Sequence, residues 1–319
     1  MAAGAVASPT RTIFFGSPDF AARILRRLAA EPEVELTVVF TQPDRPGGRG
    51  KKLRPPAVKT LSSDLGIPVH QPETLKDAST LRLIEEIEPD ILAVAAYGLI
   101  LPRKVLELPR LDALNVHASL LPKLRGSAPI QRALLSGERV TGVTIMRMEP
   151  GLDTGPILLQ RALAIGIDDT AGSLHDELAG MGGELLAEAV RKIRRNELVA
   201  VDQDEERASY APKVDKEEGL IDWNQPAEAV HNRIRAVTPW PGAFFVWHRT
   251  DGKQFRLRLQ PGRIGAELQP GTEPGSILGL QEEGLAFACR DKAYLVPSLK
   301  PESGKDLQAA DFYRGYVKR

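Results

Sequence analysis

The stretch TIFFGSPDFAARILRRLAAEPEVELTVVF, residues 12–40, decides the fold class because two apolar runs flank an amphipathic segment. Residues 12–15 and 34–40 have the β-branched and aromatic content typical of strands. Between them, Ser17 and Pro18 suit the N-cap and first turn of a helix, and the apolar side chains that follow recur at helical spacing. A strand, a helix and a second strand in this order predict a βαβ unit with parallel strands.

The same alternation continues outward from this stretch. DILAVAA, residues 90–96, is apolar without interruption, which is typical of a strand covered on both faces. Further strands are predicted over 114–117, 142–148 and, at a sheet edge, 156–165. A long helix is predicted over 173–195, and its Gly182-Gly183 pair indicates a bend or a close approach to the sheet. Residues 11–195 are therefore predicted to form an α/β domain with a Rossmann-like, mostly parallel sheet and helices on both faces.

The second half of the chain has a different periodicity. Residues 196–213, centred on DQDEER, are polar and are predicted to be a linker. After a helix over 227–237, short strands are predicted over 243–247, 254–260, 275–280, 285–290 and 293–296, with turns such as PGRIGAELQPGTEPG between them and a helix over 307–316. This spacing predicts a small OB-like β-barrel in residues 214–319. Residues 1–10 are expected to be a disordered lead-in.

Composition excludes several classes of protein. The content of 42% hydrophobic and 26% charged residues is that of an ordinary globular protein, and the longest apolar run, residues 91–96, falls well short of the ~20 residues that span a bilayer. Cys289 is the only cysteine, so neither an intrachain disulfide nor a cysteine-based zinc site can form. A net charge of zero means that any RNA must bind local basic patches. We expect a cytoplasmic monomer.

LNVHASLLP, residues 114–122, carries the first candidate catalytic groups. On a strand, Asn115 and His117 face the same side. They lie where an apolar strand gives way to a polar loop, at the carboxyl edge where open α/β sheets bind ligands. An amide and an imidazole there can stabilise an oxyanion. The alternative is that His117 only closes the strand end through a backbone hydrogen bond.

GLDTG, residues 151–155, supplies the third group. Its glycines allow a tight turn that brings Asp153 close to a partner, and a carboxylate near His117 would orient the imidazole. The alternative is a turn aspartate that caps its own loop. FFGSPDF contains a single glycine, so a dinucleotide site is poorly supported.

Together with further motifs, these two stretches make the chain similar to the bacterial type of the methionyl-tRNA formyltransferase family. The resemblance extends from Arg11 to the C-terminus. The matching motifs are FFGSPDFA, VFTQPDRPGGRGKKL, AAYGLILP, NVHASLLP with RGSAPIQRAL, TGVTIM, GLDTG, IDW and PWPGA. The resemblance implies a formyl transfer from 10-formyltetrahydrofolate, as a co-substrate and without a metal, to the α-amine of initiator methionyl-tRNA.

The resemblance also implies roles for individual residues. Asn115, His117 and Asp153 match the catalytic trio of the family. The positions implied for folate binding are Tyr97, Gly98, Ser119, Leu120, Leu121 and Pro122. The basic loop 41–56 matches an insertion that grips the tRNA acceptor end, with its cations at Arg49, Lys51, Lys52 and Arg54. The barrel is expected to bind tRNA as well.

Two other functions remain open on the sequence. A sibling formyltransferase acting on a small amine, such as an amino sugar or glycinamide ribonucleotide, would share the trio and the SLLP loop, and the basic loop argues against it. A non-catalytic RNA-binding protein would have no use for an amide, an imidazole and a carboxylate in these settings.

Overall fold

The chain divides into two units. The computed structural model describes residues 8–47, 52–249, 251–281, 284–302 and 304–318. The first unit comprises Met1–Gly126, Val140–Ala164 and His175–Tyr210, and the second comprises Ser127–Arg139, Ile165–Leu174 and Ala211–Arg319. Most of the predicted lead-in lies outside the described residues.

The elements follow in chain order. The strands are β1 (Thr10–Gly16), β2 (Val34–Phe40), β3 (Arg45–Gly47), β4 (Lys52–Arg54), β5 (Val69–His70), β6 (Ile91–Ala95), β7 (Asp112–His117), β8 (Arg125–Gly126), β9 (Val140–Arg147), β10 (Ile157–Ala164), β11 (Tyr210–Ala211), β12 (Ala243–His248), β13 (Gln254–Leu259), β14 (Arg263–Glu267), β15 (Ile277–Gln281), β16 (Gly284–Ala288), β17 (Lys292–Val296), β18 (Ser298–Pro301) and β19 (Leu307–Gln308). The helices are α1 (Asp19–Ala29), α2 (Ala57–Asp64), α3 (Ala78–Ile87), α4 (Arg103–Leu106), α5 (Pro129–Leu135), α6 (Ala171–Arg194), α7 (Ala227–Ala236) and α8 (Ala309–Phe312). Short 3₁₀ turns span Glu205–Arg207 and Lys216–Gly219, and a π turn spans Tyr313–Val317.

A seven-stranded sheet forms the centre of the first unit, in the order β10-β9-β7-β6-β1-β2-β5. The pairs that β1, β2, β5, β6 and β7 make with one another are parallel. Strand β9 runs antiparallel to both of its neighbours, β7 and β10, and β10 forms one edge of the sheet. Every residue of β6 is buried, as its unbroken apolar sequence indicated. The predicted mostly parallel sheet with β10 at its edge is confirmed.

Helices cover both faces of this sheet. On one face, Ile13 and Phe15 pack with Ile84 of α3 and Val105 of α4. On the other face, α1 buries Phe20, Ile24, Leu25 and Leu28, and each such side chain stabilises the fold by roughly 1.5–3 kcal/mol. The predicted face of α1 is therefore confirmed.

The prediction for the start of α1 was wrong. The helix begins at Asp19 with Pro18 as its N-cap, and no side chain caps it. The Ser17 hydroxyl instead donates to the Tyr97 carbonyl (3.1 Å) and accepts from the Gln42 N–H (3.1 Å). Ser17 therefore links the carboxyl ends of strands rather than capping the helix.

Two glycines let α6 approach its neighbours closely. A Cβ on Gly182 would lie 2.9 Å from Cγ1 of Val116 in β7, and one on Gly183 would lie 2.8 Å from Cβ of Arg27 in α1. Both distances are shorter than ordinary carbon contacts, about 3.5–4.0 Å. The predicted close approach of the Gly182-Gly183 pair is confirmed.

The second unit is rich in strands. Two four-stranded sheets, β12-β13-β18-β19 and β14-β17-β16-β15, share a core with α7. At its centre the Trp223 ring stacks on Phe287 with centroids 5.0 Å apart, and Phe245 meets both edge-on. This arrangement confirms a small barrel-like β domain.

Two local predictions in the second unit were wrong. The segment PGRIGAELQPGTEPG is not turns throughout, because β14 lies within it; its mostly exposed side chains and central Gly265 hid the strand pattern. The C-terminal helix predicted over 307–316 is divided into β19, α8 and a π turn.

No helix in the part of the chain that the structure describes is both long and apolar enough to cross a bilayer.

Candidate active site

Asn115, His117 and Asp153 come together at the carboxyl edge of the sheet. Asn115 and His117 lie on β7, and Asp153 lies in the loop between β9 and β10. Asn115 Nδ2 is 3.5 Å from Asp153 Oδ1, and His117 Nδ1 is 3.6 Å from Asp153 Oδ2. The first distance is at the long limit of a hydrogen bond and the second lies beyond it. The three side chains therefore face one small volume without being tightly bonded.

The two ring nitrogens of His117 have different partners. Nε2 is 2.9 Å from the Leu124 carbonyl oxygen. Since a carbonyl only accepts, Nε2 carries a hydrogen. In the neutral ring Nδ1 then presents a lone pair towards Asp153, and a proton gained at Nδ1 would form an ion pair with that carboxylate. His117 thus makes the strand-end backbone bond of the simpler interpretation and also faces Asp153.

The Asp153 carboxylate is held from a distant part of the chain. Its Oδ2 accepts the Gly126 N–H at 2.8 Å, and its backbone is left-handed, with φ 56°. A Cβ on Gly155 would collide with the Arg147 carbonyl, so the glycine is required there. The hydrogen bonds of this carboxylate run to Gly126 and Asn115, outside the GLDTG loop that a capping aspartate would serve.

A buried arginine lies behind Asp153. Arg125 is fully buried, and its Nε and Nη2 donate to Gln203 Oε1 at 3.0 and 2.9 Å. It also makes paired bonds to the Glu205 carboxylate at 2.9 and 2.7 Å. Gln203 Nε2 in turn donates to the Asp153 and Gly155 carbonyls, both at 2.8 Å. The hydrogen bonds to Glu205 raise the Arg125 pKa, so the guanidinium stays charged.

These supporting residues were not predicted from the sequence. Gln203 and Glu205 belong to the polar segment that was predicted to be a linker, yet they contact Arg125 from 78 and 80 residues away. The single amide, Gln203, among the acidic residues of DQDEER was the only local signal. Because the partner of this polar segment lies so far away along the chain, the sequence alone does not reveal it.

The SLLP loop, Ser119 to Pro122, follows His117 directly and is held firmly. Thr144 Oγ1 donates to the Ser119 carbonyl at 2.7 Å and accepts the Leu121 N–H at 3.1 Å. Gln160 Nε2 donates to the Leu121 carbonyl at 2.8 Å. Ser119 and Leu121 are buried, whereas Leu120 and Pro122 are partly exposed. Leu120 and Pro122 are therefore the more accessible side chains of the loop.

Tyr97 and Gly98 lie at the end of β6, beside β7. The Tyr97 ring is buried edge-on against Phe15, with centroids 5.3 Å apart. Its Oη has no hydrogen-bond partner among the described residues, and burial raises its pKa to about 12. Gly98 is exposed and left-handed, with φ 84°. A ligand would meet Gly98 and the Tyr97 backbone before it met the ring.

The basic loop is described only at its two ends. Lys52 and Arg54 lie exposed on β4, which pairs with β3 as a hairpin. Arg49 and Lys51 lie outside the described residues. At the base of the hairpin, Asp44 accepts hydrogen bonds from Lys59 at 2.8 Å and Gln71 at 2.7 Å. Those bonds lower the Asp44 pKa, Gln71 contributing most.

Two of the other histidines have partners that the sequence did not reveal. His231 is buried, with Nε2 2.7 Å from the Ile167 carbonyl and Nδ1 3.2 Å from Tyr294 Oη. His175 lies with Asp19 and Asp176 in a group whose ligand-type atoms fall within 4.8 Å of one another. The Arg23 guanidinium is 2.7 Å from Asp19 and 3.2 Å from Asp176. A cationic side chain is thus already paired with both carboxylates.

Two family profiles match the chain. The profile "Formyl transferase" matches residues 10–190, and "Formyl transferase, C-terminal domain" matches residues 213–317. Since the first match alone covers more than half of the chain and contains the candidate trio, fold and site define a formyl transferase.

Relatives that match nearly the full length of the chain show which formyl transferases it belongs with. The methionyl-tRNA formyltransferase of Nitratidesulfovibrio vulgaris is 46% identical over 315 residues, which cover 99% of this chain and 96% of that protein. The methionyl-tRNA formyltransferase of Pseudomonas putida is 45% identical over 305 residues, with 95% of each chain covered. The chain belongs to the methionyl-tRNA formyltransferase family.

One solved structure shares the fold at low identity. The N-formyltransferase of Helicobacter canadensis, solved with folinic acid and dTDP-3-aminofucose, aligns with a TM-score of 0.66 and 18% identity, over 93% of this chain and 100% of that one. At this identity the likeness concerns the fold alone.

Proposed function

We propose that this protein transfers the formyl group of 10-formyltetrahydrofolate to the α-amine of initiator methionyl-tRNA. The observation that carries the proposal is the convergence of Asn115, His117 and Asp153 on one edge of the sheet, in a chain whose relatives match it over nearly its full length. The product is N-formylmethionyl-tRNA, the substrate for translation initiation. We also propose a cytoplasmic monomer.

The amine needs little activation before it attacks. A free α-amine has a pKa of about 7.7–8.0, and the neighbouring ester lowers that value, so much of the amine is neutral near pH 7. Its nitrogen bonds to the formyl carbon, and the carbonyl electron pair moves to oxygen. Asn115 Nδ2 is the donor for that oxyanion, and one such donor lowers the barrier by about 3 kcal/mol.

The proton must then move from the attacking nitrogen to the leaving one. From the sequence, Asn115 and His117 are predicted to bind the oxyanion, and Asp153 to orient His117 and pass protons. The bond from His117 Nε2 to the Leu124 carbonyl favours a different division of roles. The Nδ1 lone pair takes the proton from the ammonium, and Asp153 stabilises the imidazolium that forms. Nδ1 then delivers this proton to the folate nitrogen, which departs as a neutral amine.

The substrates are assigned to surfaces next to this centre. The folate lies against Ser119, Leu120, Leu121, Pro122, Tyr97 and Gly98. The acceptor end of the tRNA lies against the basic loop, through Arg49, Lys51, Lys52 and Arg54. We propose that residues 11–195 form the catalytic domain, that 196–213 connect it to the barrel, and that the barrel, 214–319, binds the body of the tRNA. No metal takes part, because the formyl group is already activated.

Replacing Asp153 with Asn tests the assignment directly. Asp153→Asn removes the charge that stabilises the imidazolium, and we expect the single-turnover rate at saturating substrates to fall about 10²–10⁴-fold. The matched control is Asp64→Asn, which removes an exposed carboxylate at the end of α2 and should leave the rate unchanged. A near-normal rate in Asp153→Asn would remove this residue from the chemistry.

The second candidate is a formyltransferase that acts on a small amine. The observation that favours it is the fold shared with the Helicobacter canadensis N-formyltransferase, which was solved with dTDP-3-aminofucose. We expect transfer to charged initiator tRNA to exceed transfer to an amino sugar nucleotide or glycinamide ribonucleotide by orders of magnitude. Faster transfer to a small amine would decide for this alternative. A protein that binds RNA but transfers no formyl group to any of these acceptors would support the non-catalytic interpretation.

A further inference from the structure

The tripeptide Leu124–Gly126 contacts both His117 and Asp153. The Leu124 carbonyl binds His117 Nε2 at 2.9 Å. The Gly126 N–H donates to Asp153 Oδ2 at 2.8 Å. Between them, the Arg125 side chain turns away from the site to Gln203 and Glu205. The relative position of His117 and Asp153 therefore depends on where this tripeptide is held.

The polar segment after α6 holds the tripeptide. Ser209 Oγ accepts the Leu124 N–H at 2.9 Å, and the Ser209 carbonyl accepts the Arg125 N–H at 2.8 Å. The Arg125 side chain extends from this backbone to Gln203. Residues 203–209 thus bind both the main chain and the side chain of the same tripeptide.

Gln203 connects the tripeptide to the Asp153 loop. Both lone pairs of its Oε1 accept from Arg125, and both hydrogens of its Nε2 are donated, to the Asp153 and Gly155 carbonyls. Because a guanidinium only donates, the amide can take one orientation. All four of its hydrogen-bonding positions are used, so it cannot rotate without losing several bonds.

We propose that Gln203, oriented by Arg125, is a positioning residue that sets the Asp153 carboxylate against His117. Asp153 has a left-handed backbone, which an aspartate keeps only where its surroundings enforce it. Gln203 enforces it from the carbonyl side while Gly126 holds the carboxylate. All the hydrogen bonds of its side-chain amide are to protein groups, so we assign Gln203 a role through Asp153 rather than through a substrate. This inference rests on the proposed function, since it assigns the network to the proton-transfer pair.

Two substitutions separate positioning from general damage. Gln203→Met removes all four hydrogen bonds at similar volume, and Gln203→Glu keeps acceptors for Arg125 but places a carboxylate oxygen against two carbonyls. For both we expect kcat for formyl transfer to fall about 10²-fold, the usual cost of a displacement near 1 Å. The KM values for folate and tRNA should stay within a factor of about two, because Gln203 acts only on the transition state. The matched control, Arg207→Gln, changes the charge of the same segment by the same amount as Gln203→Glu, at an exposed position.

A second measurement is independent of the substrate. In protein with ¹⁵N-labelled histidine at fixed pH, the ring-nitrogen signals of His117 should shift in Gln203→Met and stay in place in Arg207→Gln. Unchanged kcat in folded Gln203→Met, or a lower kcat with unmoved His117 signals, would overturn the positioning role. If the wild-type protein formylates no methionyl-tRNA, the proposed function fails instead, and the His117 signals still decide whether Gln203 positions this pair.

Discussion

Left-handed backbone conformations concentrate around the candidate site. Five non-glycine residues with positive φ occur among those described, and three of them, Ala96, Leu124 and Asp153, lie at the sheet edge that carries the site. Each such conformation costs roughly 1–3 kcal/mol and persists where surrounding contacts enforce it. Leu124 uses it to aim its carbonyl at His117, and Asp153 uses it to aim a carboxylate at the same ring. The strained backbone at these positions therefore lowers the stability of the fold while it orients the groups around His117.

The buried His231 makes the second unit sensitive to acid. Burial lowers its pKa, the hydrogen bond to the Ile167 carbonyl and the charges of Asp168 and Glu228 oppose this, and Arg235 reinforces it. The unfolded chain binds a proton near pH 6.5 and the folded chain only at lower pH. Folding stability is therefore greatest above about pH 6.5 and falls as the pH drops from there towards the folded pKa, by at most about 1.4 kcal/mol per pH unit for one group.

His231→Gln tests this dependence, since Gln keeps a donor for the Ile167 carbonyl and cannot gain a proton. We expect the decline in melting temperature between pH 7 and pH 5 to be shallower in His231→Gln than in the wild type, even though the variant is less stable at pH 7. The control is His248→Gln, which replaces a histidine exposed on β12. Parallel pH curves for wild type and His231→Gln would contradict the buried, neutral state.

At the scale of a single element, the glycines of α6 separate helix propensity from packing. A Cβ on Gly180 meets nothing within 4 Å, whereas one on Gly183 lies 2.8 Å from Arg27 Cβ, which is fixed to the backbone of α1. Alanine is favoured over glycine in a helix by about 0.8–1 kcal/mol. That gain applies fully at Gly180 and is outweighed at Gly183, where α6 must move away from α1.

We therefore expect Gly180→Ala to raise the free energy of unfolding by about 0.5–1 kcal/mol. Gly183→Ala should lower it by about 1–3 kcal/mol, as overpacking usually does. Denaturant melts of the two variants against wild type provide the measurement, and each variant is the control for the other. Stabilisation by both substitutions would mean that α6 and α1 do not pack this closely.

Elements with a local signal were predictable from the sequence, and contacts between distant segments were not. The strand β6 and the buried face of α1 follow from apolar runs and helical spacing, and Asn115 and His117 follow from the two-residue period of a strand. The approach of Arg125 to Gln203, and of His231 to Tyr294, depends on tertiary structure across more than 60 residues. The strand β14 was missed because pairing with its single neighbour β17, rather than its own propensity, places it in the sheet.

On the scale of the whole molecule, the charges balance. With 42 basic and 42 acidic residues the net charge is zero, so long-range attraction does not favour a polyanion. Many of the cations are also neutralised locally, as Arg125 is by Glu205 and Lys59 by Asp44. Lys52 and Arg54, exposed on the hairpin, belong to the basic segment that we propose binds tRNA phosphates. Affinity for tRNA should therefore depend on a few residues.

The double variant Lys52→Ala, Arg54→Ala tests this dependence through salt. Each phosphate contact contributes about 0.7–0.9 to the slope of log affinity against log salt concentration. We expect the slope for charged initiator tRNA to become shallower by about 1.4–1.8 in this variant, while affinity for the formyl-folate is unchanged. The matched control, Lys76→Ala with Lys104→Ala, removes two exposed lysines elsewhere in the first unit and should leave the slope as it is. An equal loss of slope in both double variants would mean that tRNA responds to the total charge of the protein rather than to the hairpin.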